Sequence, residues 1–226
     1  MDKYITRGVL GGVFVGILAT EVLYYAVKRL RLALSKETDE SATQRKDTIH
    51  EVLFFPDSKP SCKAQYLTPV GCMDRKCRYA HEGTTFLRLL EHITSGKHSL
   101  DLCVYCITSP ELGEVILHLH NMGIRVRVIT DGEQAESTGS QIGRFRASGI
   151  QVRQGERQFY MHHKFAIIDR CLLINGSFNW SRNAVLGNSE NLVITNSQSV
   201  TKLFNEEFDK LWEKYDPVKK TEALAS

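Results

Sequence analysis

The chain has 226 residues, of which 42% are hydrophobic and 24% are charged, and its formal net charge is +3. A chain of this length and apolar content is neither too small nor too polar to bury a core. It suits one globular domain with appendages. The mildly basic balance is compatible with anionic substrates but does not identify one. The six cysteines do not imply disulfides, because three of them have a better use as metal ligands.

The N-terminal segment is predicted to be a membrane anchor. Residues 8–27 are apolar, aromatic or small except for Thr20 and Glu21. About 20 such residues would make a helix of roughly 30 Å, which is long enough to cross a bilayer. Basic residues follow at once, which favours a cytosolic position for the rest of the chain. We therefore predict a transmembrane helix within residues 1–31, with an uncleaved signal peptide or a peripheral amphipathic helix as the alternatives.

Composition divides the remainder of the chain into a linker, a main domain and a tail. Residues 32–48 are polar and charged, which is typical of a solvated linker or a helical stalk. The main domain is expected to span residues 49–216 and to carry the catalytic chemistry. A polar tail, residues 217–226, follows it.

An insertion rich in turn residues, 57–81, is predicted to bind zinc. Its spacing is Cys-x9-Cys-x4-Cys-x3-His, with the four ligand positions at Cys62, Cys72, Cys77 and His81. Three thiolates and one imidazole complete a tetrahedral site and leave no open position, so the zinc would be structural. The spacing resembles the CCCH zinc-finger class, many members of which bind single-stranded RNA. Basic and aromatic residues interleave with the ligands as RNA contact would need, namely Lys63, Arg75, Lys76, Arg78 and Tyr79. Free cysteines, or a zinc that only pins the loop, are the alternatives.

Apolar periodicity predicts alternating strands and helices, and hence an α/β sandwich with helices on both faces. Strands are predicted at 52–55, 100–107, 124–130, near 152, 165–168, 171–174 and 192–195. Helices are predicted at 84–95, 109–122 and 141–147, with an amphipathic final helix at 200–215.

The densest polar pattern lies in residues 162–179 and reads His-x-Lys-x4-Asp-x6-Gly-Ser-x-Asn. Alternate residues of a strand point to the same face, so an extended segment puts the His162 imidazole beside the Lys164 ammonium. Imidazole can act as a nucleophile, acid or base near neutral pH, while an ammonium and an amide donate hydrogen bonds to phosphoryl oxygens. The pattern indicates attack at the phosphorus of a phosphodiester; a strand with a solvated basic end is the alternative.

This pattern resembles the signature of the phospholipase D superfamily. The resemblance implies a phospholipase D-like α-β-α sandwich with a mixed central sheet, and a reaction that needs no catalytic metal. It also implies that His162 is the nucleophile and forms a phosphohistidine, with Lys164 and Asn179 holding the non-bridging oxygens. Ser177 would lie near the phosphate, and Asp169 would support the site without touching substrate.

Glu190 lies eleven residues after Asn179, where members of this superfamily carry a carboxylate that orients the nucleophilic histidine. A carboxylate bonded to one ring nitrogen would fix the tautomer and leave the other nitrogen free to attack. An ordinary exposed glutamate is the alternative.

The signature occurs once, although a phosphohistidine route needs a second group to protonate the leaving oxygen. His162 cannot be nucleophile and acid in one step, and His163 alternates to the other face of the strand. Relatives with two signatures place them across a pseudo-twofold axis. We therefore predict a homodimer with one composite site, in which the two copies of His162 face each other.

The order of anchor, CCCH finger and single signature is similar to that of mitochondrial members of the superfamily. This resemblance implies a single-pass protein of the mitochondrial outer membrane with its catalytic domain in the cytosol. It implies two activities: endonucleolytic cutting of single-stranded RNA in piRNA production, and hydrolysis of cardiolipin to phosphatidate, which is linked to mitochondrial fusion.

The catalytic residues do not separate these activities, because both break a phosphodiester. The finger and a group of arginines that could line a groove for a polyanion favour RNA, the arginines being Arg144, Arg146, Arg153 and Arg157. The sequence also shows no obvious aromatic or aliphatic loop near the signature that would enter a bilayer. A non-catalytic scaffold that binds RNA or lipid is a third reading, which the intact signature argues against.

Overall fold

The computed structural model describes residues 28–30, 48–68, 70–156 and 158–218, without the side chains of Lys63 and Tyr66. Apart from residues 28–30 and Thr48, the predicted anchor and linker lie outside this range. In the part of the chain that the structure describes, no helix combines the length and apolarity needed to cross a bilayer. The described residues from Ile49 onward belong to one compact unit.

Seven strands form one sheet in the order β1-β7-β6-β5-β2-β3-β4. Strands β2, β3 and β4 run parallel, whereas each pairing that involves β5, β6, β7 or β1 is antiparallel. The predicted mixed sheet is therefore confirmed. The strands are β1 His50–Phe55, β2 Ser99–Val104, β3 Arg125–Thr130, β4 Gln151–Gln154, β5 Lys164–Ile168, β6 Leu172–Gly176 and β7 Glu190–Thr195.

Helices cover both faces of this sheet, as predicted. Those of the described residues are α1 Lys63–Leu67, α2 Thr85–Thr94, α3 Pro110–Asn121, α4 Ile142–Ala147, α5 Arg182–Leu186 and α6 Gln198–Lys214. Three of them begin at side-chain caps: the hydroxyls of Thr84, Ser109 and Ser181 accept from the N–H groups of Leu87, Leu112 and Ala184. Pro110 occupies the first position of α3, where its fixed φ suits the helix and no hydrogen bond is lost.

The core has one part on each side of the sheet. The larger part joins apolar residues of α2, α3, α4 and α5 to one sheet face. The smaller part packs Phe208, Leu211 and Trp212 of α6 against β5 and its neighbours. Alternating side chains make this possible, because β5 sends Ala166 and Ile168 to the larger part and Phe165 and Ile167 to the smaller.

Loops converge at one edge of the sheet and gather there the signature residues other than Asp169. The carboxyl ends of β2, β3 and β6 meet the start of β5 and of β7 at this edge. In open α/β sheets, loops at the carboxyl ends of parallel strands form the usual ligand-binding position. We call this edge the catalytic edge. Its residues include Tyr105, which directly follows β2, and Glu190, which begins β7.

Candidate active site

His162 and Lys164 adjoin each other at the catalytic edge. The Lys164 Nζ lies 3.2 Å from Nε2 and 3.3 Å from Nδ1 of the His162 ring, and 3.2 Å from the His162 carbonyl oxygen. His162 is exposed and Lys164 is half-buried at the first position of β5. The structure therefore brings together the two groups whose proximity the sequence predicts.

The loop that carries His162 is held by backbone hydrogen bonds to two strand ends. Asp131, which is buried at the end of β3, accepts a hydrogen bond from the Met161 N–H at 3.0 Å. The Tyr105 N–H donates to the His163 carbonyl at 2.7 Å. These two contacts fix the backbone on either side of His162, so its ring position depends on residues 31 and 57 positions earlier.

Tyr105 is a site residue that sequence reasoning missed. Its ring meets the His162 ring edge-on with centroids 4.6 Å apart, and the Lys164 Nζ lies 5.6 Å from its centroid. Burial, followed by the nearby Asp131 charge, raises the pKa of the Tyr105 hydroxyl. The only sequence signal for Tyr105 was its position directly after β2. Its ring contact with His162 joins two segments that are distant in sequence, so no local pattern predicts it.

Burial and two neighbouring side chains determine the pKa of the Lys164 amine. Burial lowers the pKa of the Lys164 amine from its ordinary value, while Cys106 and Glu190 oppose that shift. The Cys106 thiol is itself buried, which raises its pKa. The Lys164 side chain thus supplies N–H donors directly beside His162, where an anion could accept them.

Ser177 and Glu190 form a hydrogen-bonded pair across β6 and β7. The Ser177 hydroxyl donates to Glu190 Oε2 at 2.5 Å, and Oε1 accepts from the Asn188 amide at 3.1 Å. Gly176 permits this pairing, because a Cβ there would lie 2.0 Å from the Asn191 carbonyl oxygen. Within the described chain the recorded partners of Glu190 are thus Ser177 and Asn188, and the contact between its carboxylate and His162 that the resemblance implies remains a prediction.

Asn179 follows Ser177 in the same loop and retains an unused polar atom. Its Oδ1 is buried and has no hydrogen-bond partner among the described residues. Unpartnered buried oxygens are uncommon and call for a functional or structural explanation. An amide assigned the other way round would present its NH2 group at this position, which is the donor that a phosphoryl oxygen needs.

Asp169 lies at the opposite end of β5 from Lys164. Its carboxylate accepts hydrogen bonds at 2.7 Å from the backbone N–H groups of Lys97, His98 and Ser99. Burial raises the pKa of the Asp169 carboxyl, but these three N–H groups outweigh it and the pKa is lowered. The residue therefore ties the start of β2 to the end of β5.

Two aromatic side chains beside His162 contradict one expectation. Phe159 and Tyr160 are both strongly exposed, and the Tyr160 ring meets Tyr105 edge-on with centroids 5.9 Å apart. The expectation that no aromatic loop flanks the signature is therefore wrong. Apolar periodicity could not identify these residues, because they lie in a loop where sequence alone does not determine exposure.

Some of the arginines predicted to line a groove for a polyanion make other contacts in the fold. Arg153 donates to the Trp212 carbonyl, pairs with Asp216 at 2.8 Å and lies 4.3 Å over the Trp212 ring, so it anchors the end of α6. Arg144 donates to Gln141 at 2.8 Å. Arg146 is exposed, and Arg157 lies outside the described residues.

The four predicted metal ligands cluster away from the signature, in the insertion between β1 and α2. One potential ligand atom from each of Cys62, Cys72, Cys77 and His81 lies within 4.8 Å of the others. The Cys77 and Cys62 sulfurs are 3.7 Å apart, close to the roughly 3.8 Å edge of a tetrahedron with zinc–sulfur bonds of about 2.3 Å. His81 Nε2 is buried without a partner among the described residues. The donor set and the orphaned nitrogen fit a metal ion.

A model of the family described as "Cardiolipin synthase, PLD-like domain" matches residues 89–212. Relatives named mitochondrial cardiolipin hydrolase include one from Chlamydomonas reinhardtii, 45% identical over 75% of this chain and 76% of its own length. The one from Xenopus laevis is 40% identical over 82% of this chain and 87% of its own length. The one from Homo sapiens is 41% identical over 79% of this chain and 73% of its own length.

The fold is also similar to that of solved structures. The phospholipase D family member Nuc from Salmonella typhimurium aligns with a TM-score of 0.58 and 22% identity, over 74% of this chain and 95% of that one. NucT from Helicobacter pylori aligns with a TM-score of 0.57 and 21% identity, over 74% and 97%. The chain is thus a hydrolytic phosphodiesterase and belongs to the family of the phospholipase D-like domain.

Proposed function

We propose that the protein cleaves single-stranded RNA through a phosphohistidine on His162, in a composite site made by two copies of the chain. The observation that carries this proposal is the exposed His162 ring within 3.3 Å of the Lys164 ammonium. A nucleophilic imidazole beside a fixed cation is the arrangement that attack on an anionic phosphodiester requires, because the cation offsets the charge that the phosphoryl oxygens carry.

The reaction proceeds in two displacements. A ring nitrogen of His162 attacks phosphorus, the bond from phosphorus to the leaving oxygen breaks, and that oxygen takes a proton from an acid. Water then attacks the phosphohistidine and loses a proton to the same group, which frees the His162 nitrogen. Lys164 and the Asn179 amide hold the non-bridging oxygens, while Ser177 lies near the phosphate. Glu190 accepts a hydrogen bond from the Ser177 hydroxyl, and its charge opposes the lowering of the Lys164 pKa.

The acid in this scheme is His162 of a second copy. His163 is unsuitable because its ring packs against Phe165, 5.4 Å between centroids, on the α6 side of the sheet. An uncovered apolar strip on that side supports a C2 contact, since Val52 and Phe54 of β1 and Val193 of β7 are exposed beside the catalytic edge. The proposal predicts that dimers mixing wild type with His162→Ala lose activity; full activity per mixed dimer would contradict it.

The substrate assignment rests on the surroundings of His162. Exposed Phe159 and Tyr160 offer faces on which bases can stack without sequence preference. Cardiolipin is the second candidate, because the relatives carry the name cardiolipin hydrolase and the same two side chains could enter a bilayer. In that case the product would be phosphatidate, with a role in mitochondrial fusion.

The remaining assignments concern the metal and the location. Zinc is the ion that three thiolates and one imidazole favour, and as a closed site it would hold the insertion and take no part in the reaction. The relatives are named mitochondrial, which supports the mitochondrial outer membrane with the catalytic domain in the cytosol. RNA cleavage there would serve piRNA biogenesis.

The deciding experiment offers both substrates to the zinc-loaded full chain. Labelled single-stranded RNA and cardiolipin vesicles are incubated with the wild type and with His162→Asn. RNA cleavage by the wild type alone, without phosphatidate release, supports the proposal. Phosphatidate release without RNA cleavage would reverse the substrate assignment, and equal turnover by His162→Asn would contradict the mechanism itself.

A further inference from the structure

The metal-binding insertion carries an exposed apolar tip. We define the finger tip as residues 70–79, which contain Cys72 and Cys77. Met73 is 81% exposed, Val70 is 76% exposed and Tyr79 is 51% exposed. Large apolar side chains this exposed and this close together in sequence are uncommon on a surface that meets only water.

The fold of the insertion forces these side chains outward. Cys62, Cys72 and Cys77 turn their sulfurs toward one another and so occupy the inside of the loop. The loop backbone is satisfied internally, since the Cys72 N–H donates to the Gln65 side chain at 3.1 Å and the Thr68 hydroxyl donates to the Gly71 carbonyl at 2.9 Å. Residues between the ligands are left facing solvent, and the described part of the chain does not cover them.

Exposed basic side chains accompany the apolar ones, and we call them the basic rim. Arg75, Lys76 and Arg78 are exposed within the same ten residues. The one acidic residue there, Asp74, accepts a hydrogen bond from the Lys76 N–H at 2.9 Å and so is partly used in shaping the turn. The finger tip thus combines protruding apolar groups with a basic rim.

We propose that the finger tip docks on an anionic lipid bilayer, with Val70 and Met73 entering the headgroup region and the basic side chains contacting anionic headgroups. An apolar projection with a basic rim matches both layers of such a surface. RNA would use the charge and the Tyr79 ring, but it has no apolar layer to receive Val70 and Met73. The proposal does not depend on the reaction at His162.

Fluorescence of a tryptophan placed at the finger tip tests this proposal. The zinc-loaded full chain carrying Met73→Trp is reconstituted in vesicles of phosphatidylcholine with roughly 30% phosphatidylglycerol, with lipids brominated near the headgroup. Bromine quenches only nearby rings, so we expect strong quenching at residue 73. The natural Trp180 and Trp212 are buried, and the wild-type signal supplies their background.

The matched control is Met122→Trp, because Met122 is also an exposed methionine, 65% accessible, but it is the C-cap of α3 and lies outside the insertion. We expect little quenching there. Each basic side chain contributes roughly fivefold to the binding constant near an anionic surface. Adding Arg75→Glu and Lys76→Glu to Met73→Trp should therefore lower the docking equilibrium constant of the finger tip, measured from lipid-dependent quenching, by more than about tenfold. A zinc content of one ion per chain verifies that each variant keeps a folded finger. If Met73→Trp does not retain zinc, Val70→Trp replaces it as the probe.

Two results would overturn the proposal. One is equal quenching at residues 73 and 122 in variants with full zinc content. The other is a response of the residue 73 signal to single-stranded RNA in detergent, without a response to brominated lipid, which would assign the finger tip to RNA. His162→Asn in the same chain should leave the quenching unchanged, so failure of the proposed reaction does not affect this measurement.

Discussion

The two ends of strand β5 hold residues of one sequence signature in opposite environments. At the start of the strand, Lys164 adjoins the exposed His162 ring, and neither group is held by a close ion pair with a carboxylate in the described structure. After its end, the Asp169 carboxylate accepts three backbone hydrogen bonds at 2.7 Å. A five-residue strand of roughly 17 Å separates the two environments.

This difference teaches how a single motif can encode both a site and its support. Side chains that bind a phosphate need hydrogen-bond donors and lone pairs that have no partner in the free protein. Such side chains are therefore exposed or weakly paired. A group that only holds the fold is most useful when every hydrogen bond is made. Substitutions at the two ends should therefore separate loss of activity from loss of stability.

The largest effect is expected from His162→Asn compared with His163→Asn. Removing the proposed nucleophile should lower phosphodiesterase activity by at least about 10³-fold, with little change in melting temperature because His162 is exposed. His163→Asn should keep most of the activity, since its ring packs on Phe165. Initial rates and thermal melts of both variants check this; similar losses in both would remove the distinction between the two histidines.

A smaller loss is expected from Lys164→Met. Methionine keeps the length of the side chain but removes the cation that faces phosphoryl oxygens, so activity should fall by about 10²–10³-fold. The half-buried site should accept methionine with a change in unfolding free energy of less than about 1 kcal/mol. Rates across a substrate titration, with Lys97→Met as the exposed-lysine control, make the measurement. Retention of activity would exclude Lys164 from the reaction.

The effect at the other end of β5 should appear in stability. Asp169→Asn keeps the shape and tolerates the positive φ of 49°, but it loses charge-assisted hydrogen bonds, so it should cost about 2–3 kcal/mol of unfolding free energy at neutral pH. Activity per folded molecule should stay within a few-fold. Denaturant unfolding measures the loss, and Glu91→Gln, at a half-exposed carboxylate, is the control, with an expected change below about 0.5 kcal/mol.

The same variant has a defined pH dependence. Because the pKa of Asp169 is lowered in the folded protein from its ordinary 3.8, its stabilising contribution is complete above that value and is lost as the pH falls toward the folded pKa. The difference between wild type and Asp169→Asn should therefore be constant near neutral pH and shrink below about pH 4. A deficit that grows in acid would contradict the role assigned to this carboxylate.

The smallest effect is expected from Ser177→Ala. The Ser177 hydroxyl is exposed and donates to Glu190, so its loss should free that carboxylate and reduce activity by about tenfold. The pH profile of activity should also shift, since the Glu190 charge acts on the pKa of Lys164, and a purely structural role for Ser177 would not produce such a shift. Ser181→Ala, which removes a cap of α5, controls for general disturbance of the loop.

Local patterns in the sequence determined the order of the elements, the signature and the candidate metal ligands. Strand and helix periodicity, the Ser109 cap and the Cys and His spacing are all encoded within short stretches, so each could be predicted without knowing the fold. The proximity of His162 and Lys164 belongs to the same class, because two residues on an extended chain are neighbours by geometry alone.

Only the tertiary structure decided what surrounds these residues. Pairing β5 with β2 brings Tyr105 against His162, lets Asp131 hold the Met161 N–H, and places the Asp169 carboxylate on backbone groups some 70 residues earlier. The exposure of Phe159 and Met73 likewise depends on what the remaining chain leaves uncovered. Contacts between distant segments leave no local periodicity, because their energy arises only once the sheet has assembled.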